Sequence, residues 1–104
     1  MKTTNLEIIR EFNRRFNIGD TVRHFKWFHS SMQDRTEMHG MYVILGIGKS
    51  TVNEEYVVIY RAMSSDGTVW IRPMIEFVSA VDEDKYPNAF QTYRFETVSE
   101  TDVK

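Results

Sequence analysis

The spacing of apolar residues changes once along the chain, near Asp20. Before Asp20, apolar side chains recur every three or four positions, which is the period of one helix face. Thr4 and Glu7 are spaced as in a capping box at a helix start, and Gly19 is a typical helix terminator. We therefore predict a helix between Thr4 and Gly19 with this buried apolar stripe: Leu6, Ile8, Ile9, Phe12 and Phe16.

From residue 21 onward, β-branched and aromatic residues occur in short runs separated by glycines and polar turns, as is typical of strands. The runs predict strands at 21–28, 41–47, 55–63, 68–72 and 92–98, and a turn with a short strand within 74–81. Asp66-Gly67 is a strong hairpin signal before the fourth run. Alternation in the third run places one set on a common face: Tyr56, Val58, Tyr60 and Ala62. The polar segments 29–39 and 82–89 are predicted as loops.

One helix followed by about five short strands with hairpin-scale connections is typical of a small closed β architecture. We predict a mainly β fold, a small antiparallel SH3-like barrel of about five strands with an added N-terminal helix. The helix would occupy residues 1–19 and pack on the barrel of residues 20–98, and a polar tail would follow at 99–104.

Composition narrows the functional classes. The chain has 104 residues, which favours one domain. Its 13 basic and 15 acidic residues give a net charge of −2, which argues against broad nucleic-acid binding. The absence of cysteine excludes disulfides, thiol nucleophiles, zinc ribbons and iron–sulfur clusters. Because no apolar run resembles a signal peptide or a membrane span, we expect a cytoplasmic protein without membrane contact.

The candidate chemistry lies at strand ends. Trp70 and Arg72 are two residues apart on a predicted strand and share a face, and Pro73 ends its ladder. His24 and Lys26 share a face of the first predicted strand in the same way. An arginine fork suits a carboxylate or phosphate, and an aromatic ring stacks on a nucleobase. We predict a basic–aromatic cup for a small anionic or nucleotide-like ligand, formed by His24, Lys26, Tyr60, Trp70, Arg72 and Arg94.

The same residues also allow a purely structural interpretation. Arg72 can form an ion pair with Glu76 or Glu55 that stabilises the barrel, and Trp70 can fill the core. This interpretation predicts that replacing Arg72 weakens the fold, whereas the cup predicts that binding alone is lost.

Two further functions follow from other features of the sequence. The apolar helix and the 29–39 loop suit an interaction adaptor that binds a protein partner or a second copy of the chain. His24 suits a general base in a small hydrolase, but no nucleophile accompanies it, so we expect binding rather than catalysis. His24, His29 and His39 lack the spacing of a known metal motif, and neither a metal nor a cofactor is expected.

Six short motifs follow one another along the chain: His24-Phe25-Lys26, Tyr42 to Ile47, Glu55 to Ala62, Trp70 to Met74, Phe77, and Arg94-Phe95. Their order resembles the family known as domain of unknown function 1653, which comprises small bacterial and phage proteins. The resemblance covers Asp20 to Phe95 and implies an SH3-like barrel without an assigned activity. The chain differs from the family pattern at Trp27, where a glycine is usual, in the inserted segment 29–39, and in the added helix.

Overall fold

The computed structural model describes residues 4–98, which form a mainly β fold with an N-terminal helix. The helices are α1 (Asn5–Arg15), α2 (Met32–Thr36) and α3 (Met74–Phe77), and a 3₁₀ helix spans Phe25–His29. The strands are β1 (Thr21–His24), β2 (Met41–Lys49), β3 (Tyr56–Ala62), β4 (Val69–Pro73) and β5 (Phe95–Thr97). The predicted mainly β class with an added N-terminal helix is therefore confirmed, and the predicted tail at 99–104 lies outside the described residues.

Helix α1 begins where the sequence predicts. The Thr4 hydroxyl accepts a hydrogen bond from the Glu7 N–H at 3.2 Å and caps the first turn. Ile8, Phe12 and Phe16 are buried and, four residues apart, form one line along the helix. Leu6 was wrongly placed in this stripe and is exposed, because two residues correspond to a rotation of about 200° from Ile8.

All five strands belong to one antiparallel sheet in the order β4-β3-β2-β1-β5. The predicted hairpin between β3 and β4 is confirmed: Gly67 has a φ of +57°, and Ser64 donates a hydrogen bond to Asp66 at 2.6 Å. The predicted alternation of β3 is also confirmed, since Val58, Tyr60 and Ala62 are buried.

The sheet is strongly curved around an aromatic core. Four strand spacings separate β4 from β5, which would be about 19 Å in a flat sheet. Yet the ring centroid of Phe95 on β5 lies 5.5 Å from that of Tyr60 on β3 and 5.8 Å from the Arg72 guanidinium on β4. Phe77 of α3 stacks on Phe95 at 4.3 Å between ring centroids. The ends of the sheet therefore approach each other across the core.

Two segments differ from the prediction because, in each of them, a side chain caps the start of a short helix. The strand predicted at 21–28 ends at His24, whose Nδ1 accepts a hydrogen bond from the Lys26 N–H and begins the 3₁₀ helix. The shared strand face predicted for His24 and Lys26 was therefore wrong. The loop predicted at 29–39 contains α2, which Ser31 caps by accepting from the Asp34 N–H at 3.1 Å.

The end of the chain also differs from the prediction. The short strand predicted within 74–81 is wrong: α3 occupies its start, and its two inward side chains, Met74 and Phe77, are fully buried three residues apart. The last strand is shorter than predicted and begins at Phe95. Within residues 4–98, no helix combines the length and apolar character that a bilayer crossing requires.

We expect Phe77→Ala to lower the free energy of unfolding by about 3–5 kcal/mol, because it removes one ring of the fully buried stack with Phe95. Urea denaturation monitored by circular dichroism measures this loss. Phe90→Ala is the matched control: Phe90 is 72% exposed, and we expect a change below about 1 kcal/mol. Equal losses in the two variants would contradict the assignment of this stack to the core.

Candidate functional site

A cavity of about 360 Å³ opens where β1, β3, β4 and β5 approach one another, a volume within the range of small-molecule sites. Its basic side is formed by His24, Lys26 and Arg72. Its rim includes Ser30, His39 and Gly40. No carboxylate is among the lining residues. Five of the six residues predicted for the cup therefore line one cavity, and its aromatic walls are Trp27, Tyr42, Tyr60, Trp70 and Phe95.

The pairing of β3 with β4 positions one wall. Tyr60 lies opposite Trp70, and Val58 lies opposite Arg72, so Trp70 and Arg72 share the inner face. Trp70 is 51% exposed and lines the cavity instead of filling the core. β4 ends at Pro73, and α3 begins directly after it, as expected for a proline at a strand end.

Arg72 makes hydrogen bonds within the fold and also lines the cavity. Its Nε donates to the Tyr60 hydroxyl at 3.2 Å, and its Nη1 donates to Glu76 at 3.3 Å. The ion pair with Glu76 that the sequence suggested is present, whereas Glu55 hydrogen-bonds Asn53 instead. Within residues 4–98, Arg72 Nη2 makes no hydrogen bond, so the outer edge of the fork stays available. The pair with Glu76 is partly solvated and therefore weak.

His24 borders the cavity as a neutral imidazole. Burial is the largest cause that lowers its pKa, and together with the nearby charges of Arg94, Arg72 and Lys26 it brings the pKa to about 4. Its Nδ1 accepts the hydrogen bond from the Lys26 N–H at 3.2 Å, which assigns the proton to Nε2. In this state, the second ring nitrogen is a hydrogen-bond donor and does not serve as a general base.

The two remaining predicted cations differ in position. Lys26 reaches the cavity from the 3₁₀ helix, with its Nζ 5.4 Å from the ring centroid of Tyr86. Arg94 directly precedes β5, and its Nε donates to the Ser79 hydroxyl at 3.3 Å. Arg94 does not line the cavity, and its contribution is the positive charge that acts on His24.

Three lining aromatics were missing from the predicted site: Trp27, Tyr42 and Phe95. Trp27 packs on Gly40, where a Cβ atom would approach the Trp27 Cβ to 3.2 Å and where φ is +87°. Gly40 directly follows the inserted segment in the sequence, and a glycine at that position could have indicated a close contact. Tyr42 lies two residues before the buried Ile44, so strand alternation could have placed it inside. Burial and the neighbouring Tyr60 raise the pKa of Tyr42.

A polar cluster lies in and beside α2 and shares His39 with the rim of the cavity. Asp34, Glu37 and His39 bring one ligand-type atom each within 4.8 Å of the others, and all three are exposed. The His39 Nε2 lies 3.2 Å from a Glu37 carboxylate oxygen. This arrangement is typical of a solvated surface network.

The comparison with known families decides the identity of this chain. The sequence model of the family described as Protein of unknown function (DUF1653) matches residues 20–97, which are 78 of the 104 residues. The chain belongs to this family. The DUF1653 region includes all five strands and every residue that lines the cavity, whereas α1 lies before it. No curated protein and no solved structure matches the chain.

We expect the stability of this DUF1653 protein to fall as the pH is lowered from about 6.5 towards about 4. In this range the unfolded chain protonates residue 24, whereas the folded chain, in which the pKa of His24 is about 4, does not. The unfolded state therefore gains protons and is favoured. Urea denaturation at several pH values measures the slope.

Two histidine variants isolate this effect from the titration of carboxylates. His24→Asn keeps a side-chain acceptor for the cap and should flatten the slope relative to the native chain. His29→Asn, at an exposed histidine that forms no ion pair within residues 4–98, should leave the slope unchanged. An NMR titration of the native His24 ring with a midpoint near about 6.5 would contradict the buried neutral state.

Proposed function

We propose that this protein is a binding module for a small planar anion, such as an aromatic carboxylate or a nucleotide. The observation that carries the proposal is the cavity that combines an arginine fork, five aromatic side chains and no carboxylate. Rigid strands supply most of this wall, so the geometry is formed before a ligand arrives.

The anionic group would bind at Arg72. The Tyr60 hydroxyl holds Nε and thereby orients the guanidinium, while Nη2 stays available for an oxygen acceptor. An anion can also displace the solvated Glu76 carboxylate from Nη1, which would give a two-point contact. His24 Nε2 would donate a further hydrogen bond as a neutral group.

The planar part of the ligand would pack between aromatic side chains. Trp70 forms the exposed wall on β4, and Tyr42 and Tyr60 meet edge to face at 5.2 Å on the inner surface. Such walls favour a ring over an aliphatic chain, because ring faces and edges carry complementary charge. Lys26 at the cavity margin would favour a second negative charge outside the ring pocket.

Other features bear on the competing functions. Ile8, Phe12 and Phe16 of α1 are buried in the core, which favours binding at the cavity over an adaptor function of this helix. The hydrogen bond on His24 Nδ1 favours a donor role for Nε2 over the general-base role that the hydrolase hypothesis requires. The proposal also places the protein in the reducing cytoplasm of a bacterial or phage-infected cell, with support from the absence of cysteine.

Intrinsic tryptophan fluorescence is a direct reporter, because both tryptophans of the sequence, Trp27 and Trp70, line the cavity. We expect at least one member of a panel of nucleoside monophosphates and aromatic carboxylates to change this fluorescence in a saturable titration. Arg72→Met should weaken that binding by about 10–100-fold, because a charge-assisted hydrogen bond is lost. Arg61→Met, at an exposed arginine on the outer face of β3, should bind like the native chain.

Glu76→Gln separates binding from a purely structural role of Arg72. This change removes the carboxylate that competes for Nη1, so we expect anion binding to tighten by about 2–5-fold. A structural role alone predicts lower stability and no gain in affinity. No response from any panel member, or equal binding by Arg72→Met, would overturn the proposal.

A further inference from the structure

Strand β4 is an edge strand with an unusual surface for such a position. Its first three residues, Val69, Trp70 and Ile71, are all more than half exposed. Natural edge strands usually carry charges, prolines, bulges or covering segments that prevent pairing with another chain, and β4 carries a proline only at its last position, Pro73. The outer side chains of β4 are apolar, and Ile71 is 66% exposed beside Ile59 of β3.

The backbone of this edge has unused hydrogen-bonding groups. The Ala62 N–H donates to the Thr68 carbonyl, so Thr68, Trp70 and Arg72 direct their backbone groups towards β3. Alternation then directs those of Val69, Ile71 and Pro73 away from the sheet. Val69 and Ile71 make no backbone hydrogen bond through these N–H groups within residues 4–98. Pro73 contributes only a carbonyl at this edge.

We propose that a second copy of this chain pairs antiparallel with β4 across a two-fold axis at Ile71. In this register the Ile71 N–H donates to the carbonyl of the partner's Ile71, and the Val69 N–H donates to that of the partner's Pro73. In this register both outward N–H groups of each chain have an acceptor on the partner. Pro73 has no N–H, so its position in the register leaves no donor without an acceptor. The ten strands form one sheet through both protomers.

Side-chain complementarity favours this occupant over an unrelated strand. The register places Trp70 opposite the partner's Arg72, in a pair whose backbone groups do not join the two chains and whose side chains therefore lie closest. An arginine beside an indole is a favourable cation–π contact, and the two-fold axis forms it twice. Because Trp70 and Arg72 also line the cavity, each protomer would complete the cavity mouth of its partner.

Sedimentation equilibrium over a concentration series tests the proposal. A contact between two short strands is smaller than a standard interface, so we expect a dissociation constant of about 10–100 μM. Ile71→Lys places two lysines against each other at the axis and should weaken dimerisation at least tenfold. Ile18→Lys is the matched control, since Ile18 is 62% exposed and lies outside β4; we expect it to dimerise like the native chain.

A backbone variant distinguishes strand pairing from adhesion of apolar side chains. Val69→Pro removes an outward N–H that makes no hydrogen bond within the protomer, so the fold persists by circular dichroism while dimerisation weakens. A native chain that stays monomeric up to about 1 mM would overturn the proposal. So would a dimer that Ile71→Lys leaves intact, because it would use another surface, such as α2.

Discussion

The contact of Phe95 with the opposite end of the sheet is the constraint on which the rest of the fold depends. Its ring stacks on Phe77 and approaches Tyr60 and His24, with centroid distances of 4.3, 5.5 and 5.1 Å. These contacts hold β5 near β3 and β4 although three strands lie between β4 and β5 in the ladder. The curvature that results brings the His24 side of the cavity to the Arg72 side. Fold stability and site geometry therefore depend on the same buried ring.

The electrostatics of the cavity follow from this approach of the strands. Burial of His24, together with the charges of Arg94, Arg72 and Lys26 on separate elements, lowers its pKa to about 4. A field that disfavours a proton on His24 favours a negative charge at the same place. The part of the pKa shift that these cations cause and the proposed anion site therefore have the same source, whereas the largest single cause of the shift is burial. The carboxylate paired with Arg72 belongs to Glu76, which is partly solvated and does not line the cavity.

Sequence reasoning succeeded for strands that are long enough to show an alternation of side chains. The alternation of β3 and the spacing of Trp70 and Arg72 placed the central residues of the cavity on one face. It failed for the three shortest helical segments, Phe25–His29, Met32–Thr36 and Met74–Phe77, which span four or five residues and cannot display a helical period. Arg94 was placed in the cavity because the last strand was predicted to start too early. The contacts of Phe95 join residues far apart in the sequence, so no local pattern could predict them.

Native mass spectrometry of the protein purified without unfolding from cells that produce it tests the proposed binding most directly. The anion-binding cavity predicts a population of the native chain that carries a small molecule, and the absence of that population from Arg72→Met purified in parallel. Because the cavity is lined by cations, we also expect the released molecule to be an acid or a phosphate. A native chain whose mass is that of the protein alone, under conditions that preserve weak complexes, would contradict a resident ligand. An adduct shared equally by Arg72→Met would contradict the assignment of this cavity as its site.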